Sequence, residues 1–179
     1  MSTALITAIC ARDWMLTMAR LATHPAEAHI ADQNGWLPLR YACFCQAPLA
    51  VVQALLHAHP AAVSMPNEYG ALPLHYAAYY QSPLDVVQLL LRAYPEAAYT
   101  ANIHGRLPLH WAAITGTPAS VEVVAALLAA HPEAALVHNN DGELPYLARY
   151  PAAAITATLR AQAAARRRPA MLAWAAARM

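Results

Sequence analysis

The prolines of this chain recur in phase, and the phase limits what the chain can fold into. Twelve of the fourteen fall into three sets. One set follows a leucine (Pro38, Pro73, Pro108, Pro145). A second lies ten residues later in the first three cases (Pro48, Pro83, Pro118, with Pro151 arriving early), and a third closes each apolar stretch (Pro25, Pro60, Pro95, Pro132). From each closing proline to the next Leu-Pro proline is thirteen residues every time. Four of the five glycines (Gly35, Gly70, Gly105, Gly142) stand three residues ahead of the Leu-Pro proline. The chain is therefore a repeat, with successive periods of 35, 35 and 37 residues.

Each mark has a physical reading. Glycine shortly after Asp32, Asn67, Asn102 or Asn139 supplies the positive φ of a tight turn, which Asx residues also favour, so each such place is a hairpin tip. Proline in the first turn of a helix gives up no needed amide hydrogen. Pro38, Pro73 and Pro108 are therefore expected to open one short helix and Pro48, Pro83 and Pro118 the next, with the third set stopping it. The first helix has only about eight residues, too few to stand alone in water. In the second, Val86, Val87, Leu90 and Leu91 form an apolar stripe opposite Asp85, Gln88 and Arg92. Val51, Val52, Leu55, Leu56 and Val123, Val124, Leu127, Leu128 repeat that stripe. Units this thin bury their apolar face only by stacking.

The unit Asn67-Glu68-Tyr69-Gly70-Ala71-Leu72-Pro73-Leu74-His75-Tyr76-Ala77-Ala78, with Val86-Val87 and Leu90-Leu91 behind it, resembles the ankyrin repeat. The pattern recurs over 102–113 and, with Arg40 in place of the histidine, over 32–43. The resemblance implies an all-α ankyrin-repeat solenoid of stacked helix pairs with hairpin-tip loops. Three full repeats (32–66, 67–101, 102–138) are expected between degenerate caps at 1–31 and 139–165, with a basic tail over 166–179. Tetratricopeptide repeats, the nearest rival by period, need a longer first helix and lack the glycine hairpin.

There are departures. The family's threonine before the proline is Leu37, Leu72, Leu107 and Leu144, so its hydroxyl cap is missing. A Pro-Glu-Ala-Ala-like segment follows each second helix where the family has a shorter turn, and the third unit carries two extra residues between Pro118 and Val123.

The resemblance also implies a function, binding of a protein partner, and places it at the residues flanking the hairpin glycine and following the first helix. Those positions are Gln33, Asn34, Trp36, Phe44 and Cys45, then Glu68, Tyr69, Ala71, Tyr79 and Tyr80, then Ile103, His104, Arg106, Ile114 and Thr115, with Asn140, Asp141 and Glu143 in the last hairpin. Five large aromatics on such a surface match the composition of protein interfaces.

No catalytic residues, cofactor, small-molecule substrate or metal is expected. No Gly-x-Gly-x-x-Gly, Walker loop, Gly-x-Ser-x-Gly or His-Glu-x-x-His occurs. By the resemblance, His75 and His110 are structural rings bonded to neighbouring backbone. His24, His59 and His131, with Tyr94 in phase, precede the closing prolines, where a ring can meet the last carbonyls of a helix. Cys10, Cys43 and Cys45 make no Cys-x-x-Cys pair and suggest a reducing compartment. With no secretory signal or membrane span expected, the reading is a cytoplasmic monomer.

The net charge of +1 gives no overall field for nucleic acid, but it is unevenly spread. Residues 1–148 hold five arginines and all ten acids, whereas 149–179 hold six arginines and no acid. Arg166, Arg167 and Arg168 carry the alternative reading, a nuclear or nucleic-acid-associated regulator.

Overall fold

The computed structural model describes residues 3–115 and 118–147. Its helices come in pairs: α1 (Ala4–Cys10) with α2 (Trp14–Thr23), α3 (Pro38–Phe44) with α4 (Leu49–Ala58), α5 (Pro73–Tyr79) with α6 (Leu84–Ala93), and α7 (Pro108–Thr115) with α8 (Pro118–Ala130). The short first helices α1, α3, α5 and α7 pack in sequence as one layer, and α2, α4, α6 and α8 pack as a second. No strand occurs among the described residues. The terminal unit expected over 139–165 is described only as far as 147, and the basic tail lies outside the described residues.

The core runs between the two layers. Val51, Val52 and Leu55 of α4, Val86, Val87 and Leu90 of α6, and Val123, Val124, Leu127 and Leu128 of α8 are all buried, while Leu56 and Leu91 at the edge of the stripe are half-buried. From the other side Leu39, Ala42 and Cys43, then Leu74, Ala77 and Ala78, then Leu109, Ala112 and Ala113 close against them. Small residues at the facing positions let these short helices approach closely, and each unit lends its neighbour the cover that seven residues cannot provide alone.

Two details differ from the expectation. Pro38 and Pro73 do open α3 and α5, but Pro48 and Pro83 sit one step outside α4 and α6 as extended N-cap residues, with ψ of 156° and 142°. The closing prolines do more than stop a helix: each begins a five-residue 3₁₀ turn, at Pro25–His29, Pro60–Ser64, Pro95–Tyr99 and Pro132–Leu136. Proline suits that first position because its φ is preset and its missing N–H would have no partner there. These turns are the extra length of the repeat. In the first pair, Glu27 of the turn accepts the Leu5 amide (2.8 Å) and pairs with Arg20, capping α1 from a distance in sequence.

The histidines near the closing prolines also work across units. His29 Nε2 meets the Ala58 carbonyl at 3.0 Å and His59 Nδ1 meets the Ala28 carbonyl at 3.2 Å, with the two rings stacked at 3.9 Å. The cap on the end of α4 thus comes from the preceding unit, and His59 serves that unit's turn instead of its own helix. His24 bonds Thr23 Oγ1, and His131 faces Glu133 at 3.4 Å.

Candidate interaction surface

The hairpin tips are built by one device used four times. The side-chain Oδ1 of Asp32, Asn67, Asn102 and Asn139 accepts the amides two and four residues on, at 2.8–3.1 Å. The backbone of the same residue exchanges bonds with the glycine and with the residue after it. Glycine is required on two counts at Gly105: φ is +70°, and a Cβ would fall 2.8 Å from the Asn140 backbone nitrogen. Successive tips are tied together, since Ile103 N–H donates to the Tyr69 carbonyl and Asn140 N–H to the His104 carbonyl, both at 3.0 Å.

Each hairpin is pinned to the helix behind it by a buried polar residue. The Nδ1 of His75 accepts the Leu72 amide (3.1 Å) at the start of α5, and its Nε2–H donates to the Arg106 carbonyl of the next hairpin (3.0 Å). His110 repeats this with Leu107 (3.1 Å) and Glu143 (3.4 Å). The histidine therefore supplies the acceptor that the family's threonine would have offered to the helix start. Burial pushes the His75 imidazole down to about 4 and lowers that of His110, so both rings are neutral at pH 7. In the first unit Arg40 takes the place: Nη1 donates to Gly35 O (3.2 Å) and Nη2 to Met65 O (3.1 Å), while Nε is buried without an acceptor. Its guanidinium lies 5.6 Å from the Trp36 ring and 5.8 Å from Tyr76.

Over this framework the surface residues sort into three groups. Gln33, Asn34, Glu68, Tyr69, Ile103 and His104 stand exposed at the tips, Tyr69 and Ile103 with half or more of their area open (50% and 56%). Phe44, Tyr79 and Ile114 are exposed on the first helices. Trp36, Tyr80, Arg106 and Thr115 are half-buried. Trp36 is covered because it packs on Tyr41 and Tyr76, and Tyr80 because it packs on Phe44 at 4.4 Å. Cys45 and Ala71, expected at the surface, are buried at 5% and 0%. Cys45 caps the end of α3, and Ala71 is held under its hairpin by the Asn67 side chain. Neither offers a partner anything.

Trp36, Tyr79, Tyr80, Arg106 and Ile114 converge on one cleft of about 470 Å³. Two further walls, Tyr76 and Trp111, lie outside the surface positions that the resemblance implies. Their register, in phase with Tyr41, puts an aromatic at that position in each of the three central units, where Tyr76 is buried and Trp111 half-buried. Arg106 also borders a second cleft with His110, Leu144 and Tyr146, and it pairs with Asp141 (3.1 Å) and Glu143 (3.8 Å). The tips at Gln33, Asn34, Glu68, Tyr69 and His104 do not line either cleft.

Among the described residues no group of three or more His, Cys, Asp or Glu is placed to hold a metal ion, and no helix is long and apolar enough to cross a membrane. Burial raises the thiols of Cys43 and Cys45, to about 12 and about 11, which leaves them protonated at neutral pH. A search of curated proteins found no match. Residues 55–112 match the family described as ankyrin repeats (many copies), and that stretch runs from the middle of α4 through α5 and α6 into α7. Ankyrin repeats are in general modules for binding other proteins, and the family is typically non-enzymatic. The hairpins, helix pairs and phased Leu-Pro marks on either side of that stretch repeat the same pattern, so the chain is similar to ankyrin-repeat proteins over its described units.

Proposed function

We propose that the chain binds a protein partner through the side formed by its hairpin tips and first helices, and that it does so as a cytoplasmic monomer without chemistry of its own. The observation that carries this reading is the exposure of Phe44, Tyr69, Tyr79, Ile103 and Ile114 along one side. Beneath them, a framework of buried side-chain to backbone bonds holds the tips in place. Large apolar side chains presented by a fixed backbone lose little freedom on binding, which is what makes aromatic anchors effective. The Asx-built tips supply the polar rim around them.

The test is a pull-down with the full chain, identification of the captured protein, and titration of variants. Tyr69→Ala, Tyr79→Ala and Trp36→Ala are each expected to weaken binding, at least one by about 2 kcal/mol. Arg92→Ala, exposed on α6, is expected to leave affinity unchanged. Loss on the Arg92 side with indifference to all three aromatics would overturn the assignment. Replacing Arg166, Arg167 and Arg168 by glutamine is expected to spare the partner. Salt-sensitive nucleic-acid binding that vanishes in that variant would favour the basic tail instead.

A further inference from the structure

We infer that the aromatic cleft receives a proline-rich segment of the partner in the polyproline II conformation. The inference rests on the reading above, that this side of the molecule is the binding surface, and it names what enters it.

The walls are rings set nearly at right angles: Tyr79 to Trp111 at 78°, Tyr79 to Tyr80 at 76°, and Tyr76 to Trp111 at 63°. Such corners leave apolar notches between ring faces. Each of the four outer walls carries a donor, the phenol O–H of Tyr79 and Tyr80, whose oxygen also accepts, and the indole N–H of Trp36 and Trp111. Among the described residues none of these four is hydrogen-bonded within the chain. The cleft thus offers apolar notches edged with donors and wants a ligand that is apolar and rich in acceptors.

Three ways of seating a peptide can be compared on that basis. Strand addition needs an open sheet edge, and no strand occurs among the described residues. A helix has its carbonyls already bonded within itself, so it would bury the phenol and indole donors with no partner. A polyproline II segment has rings to fill the notches, carbonyls with no internal bonds, and no proline N–H to satisfy. It also arrives already extended, at little entropic cost. A lone cation, the other ligand aromatic walls attract, meets the Arg106 guanidinium at the rim and finds the Trp36 and Tyr76 rings already occupied by Arg40.

The test is selection of a displayed dodecapeptide library on the full chain. Fluorescence anisotropy then follows with three labelled dodecapeptides: a proline-rich selectant, an arginine-rich peptide and an alanine-based helical peptide. Selected sequences are expected to carry two or more prolines. Their affinity is expected to fall at least about ten-fold in Tyr79→Ala and about three-fold in Tyr80→Phe, which keeps the ring and removes only the hydroxyl donor. Arg92→Ala should change nothing, and unchanged urea midpoints would show that the variants are folded. Enrichment of basic or amphipathic helical sequences, no enrichment, or proline-rich binding indifferent to Tyr79 would each overturn the inference. A captured protein partner that depends on Tyr69 and Phe44 but contacts the chain through no proline-rich segment would end this inference and leave the binding surface standing. A partner indifferent to every aromatic would end both.

Discussion

The unit that begins at Asp32 and the unit that begins at Asn67 place the same backbone in the same way, yet they hold it with different chemistry. In the first, the Asp32 carboxylate accepts the Tyr41 hydroxyl (2.7 Å), and the Arg40 guanidinium reaches the Gly35 and Met65 carbonyls. In the second, the Asn67 amide donates to the Tyr76 hydroxyl (2.9 Å), and the neutral His75 ring reaches the Leu72 amide and the Arg106 carbonyl. Burial acts against the Asp32 charge, but the hydroxyl of Tyr41 and the amides of Trp36 and Asn34 outweigh it and hold the carboxyl below its ordinary range. Burial likewise lowers Arg40. The comparison teaches that the repeat specifies a bridge from helix start to next hairpin, and that the charge state of the bridge is free to vary.

The bridges are not equal, and the strongest expected effect falls on the neutral one. His75→Ala would leave a buried amide and a buried carbonyl unpaired and open a cavity at a fully buried site. It is expected to cost about 3 to 5 kcal/mol in urea denaturation. Arg40→Ala loses two bonds as well, but it also removes a buried charge whose Nε has no acceptor, so about 2 to 4 kcal/mol is expected. Arg40→His is expected to recover most of that loss by rebuilding the neutral bridge. A loss as large as that of the alanine variant would show that the two units are not interchangeable.

Acid separates the units next. The folded pKa of His75 is depressed to about 4 against an ordinary 6.5, so its unfolded form binds the extra proton between those values. The associated stability is complete above about pH 6.5 and is lost as pH falls towards 4, by about 3 kcal/mol. Denaturation at pH 7 and pH 4.5 is therefore expected to show a steeper fall in the parent than in His75→Gln. Equal slopes would mean that the ring is not held neutral. The smallest contrast lies in the two hydroxyls. Tyr41→Phe removes a bond to a charged acceptor and is expected to cost about 2 kcal/mol, whereas Tyr76→Phe removes a neutral one and should cost about 1. A reversal of that order would contradict an ionised Asp32.

Much of this arrangement could be read from residues, because glycine, proline and the paired valines and leucines each impose a local geometry that stacking then reinforces. What escaped was set by packing between units. The 3₁₀ turns follow prolines that sequence alone reads only as stops, and their alanine-rich residues carry no periodicity. Gln46 and Gln81 adopt φ of 58° and 56° after α3 and α5, where glycine would be the ordinary signal. The chain holds them there through neighbours, Gln46 by donating to the Tyr80 carbonyl of the next unit. Cys45 and Ala71 follow the family's surface pattern but are buried, and at the position that Tyr76 and Trp111 share one ring is buried while the other is half-buried. Periodicity assigns a residue to a face. Its exposure depends on what the adjacent unit places over that face.

The bonds between hairpin tips give the molecule an uneven texture along its axis. The tips at 67–71, 102–106 and 139–143 are joined in sequence by backbone bonds, whereas no backbone bond joins the tip at 32–36 to the one at 67–71. The three joined tips must loosen together, since opening one strands the donors of the next. The first is held to the next unit through side chains instead, by Arg40 between the Gly35 and Met65 carbonyls and by Trp36 against Tyr76. Amide exchange at Ile103 and Asn140 therefore reports a concerted opening of several units. On the proposed reading, a partner that reaches all four tips would meet an edge whose first tip lacks the backbone ties of the other three.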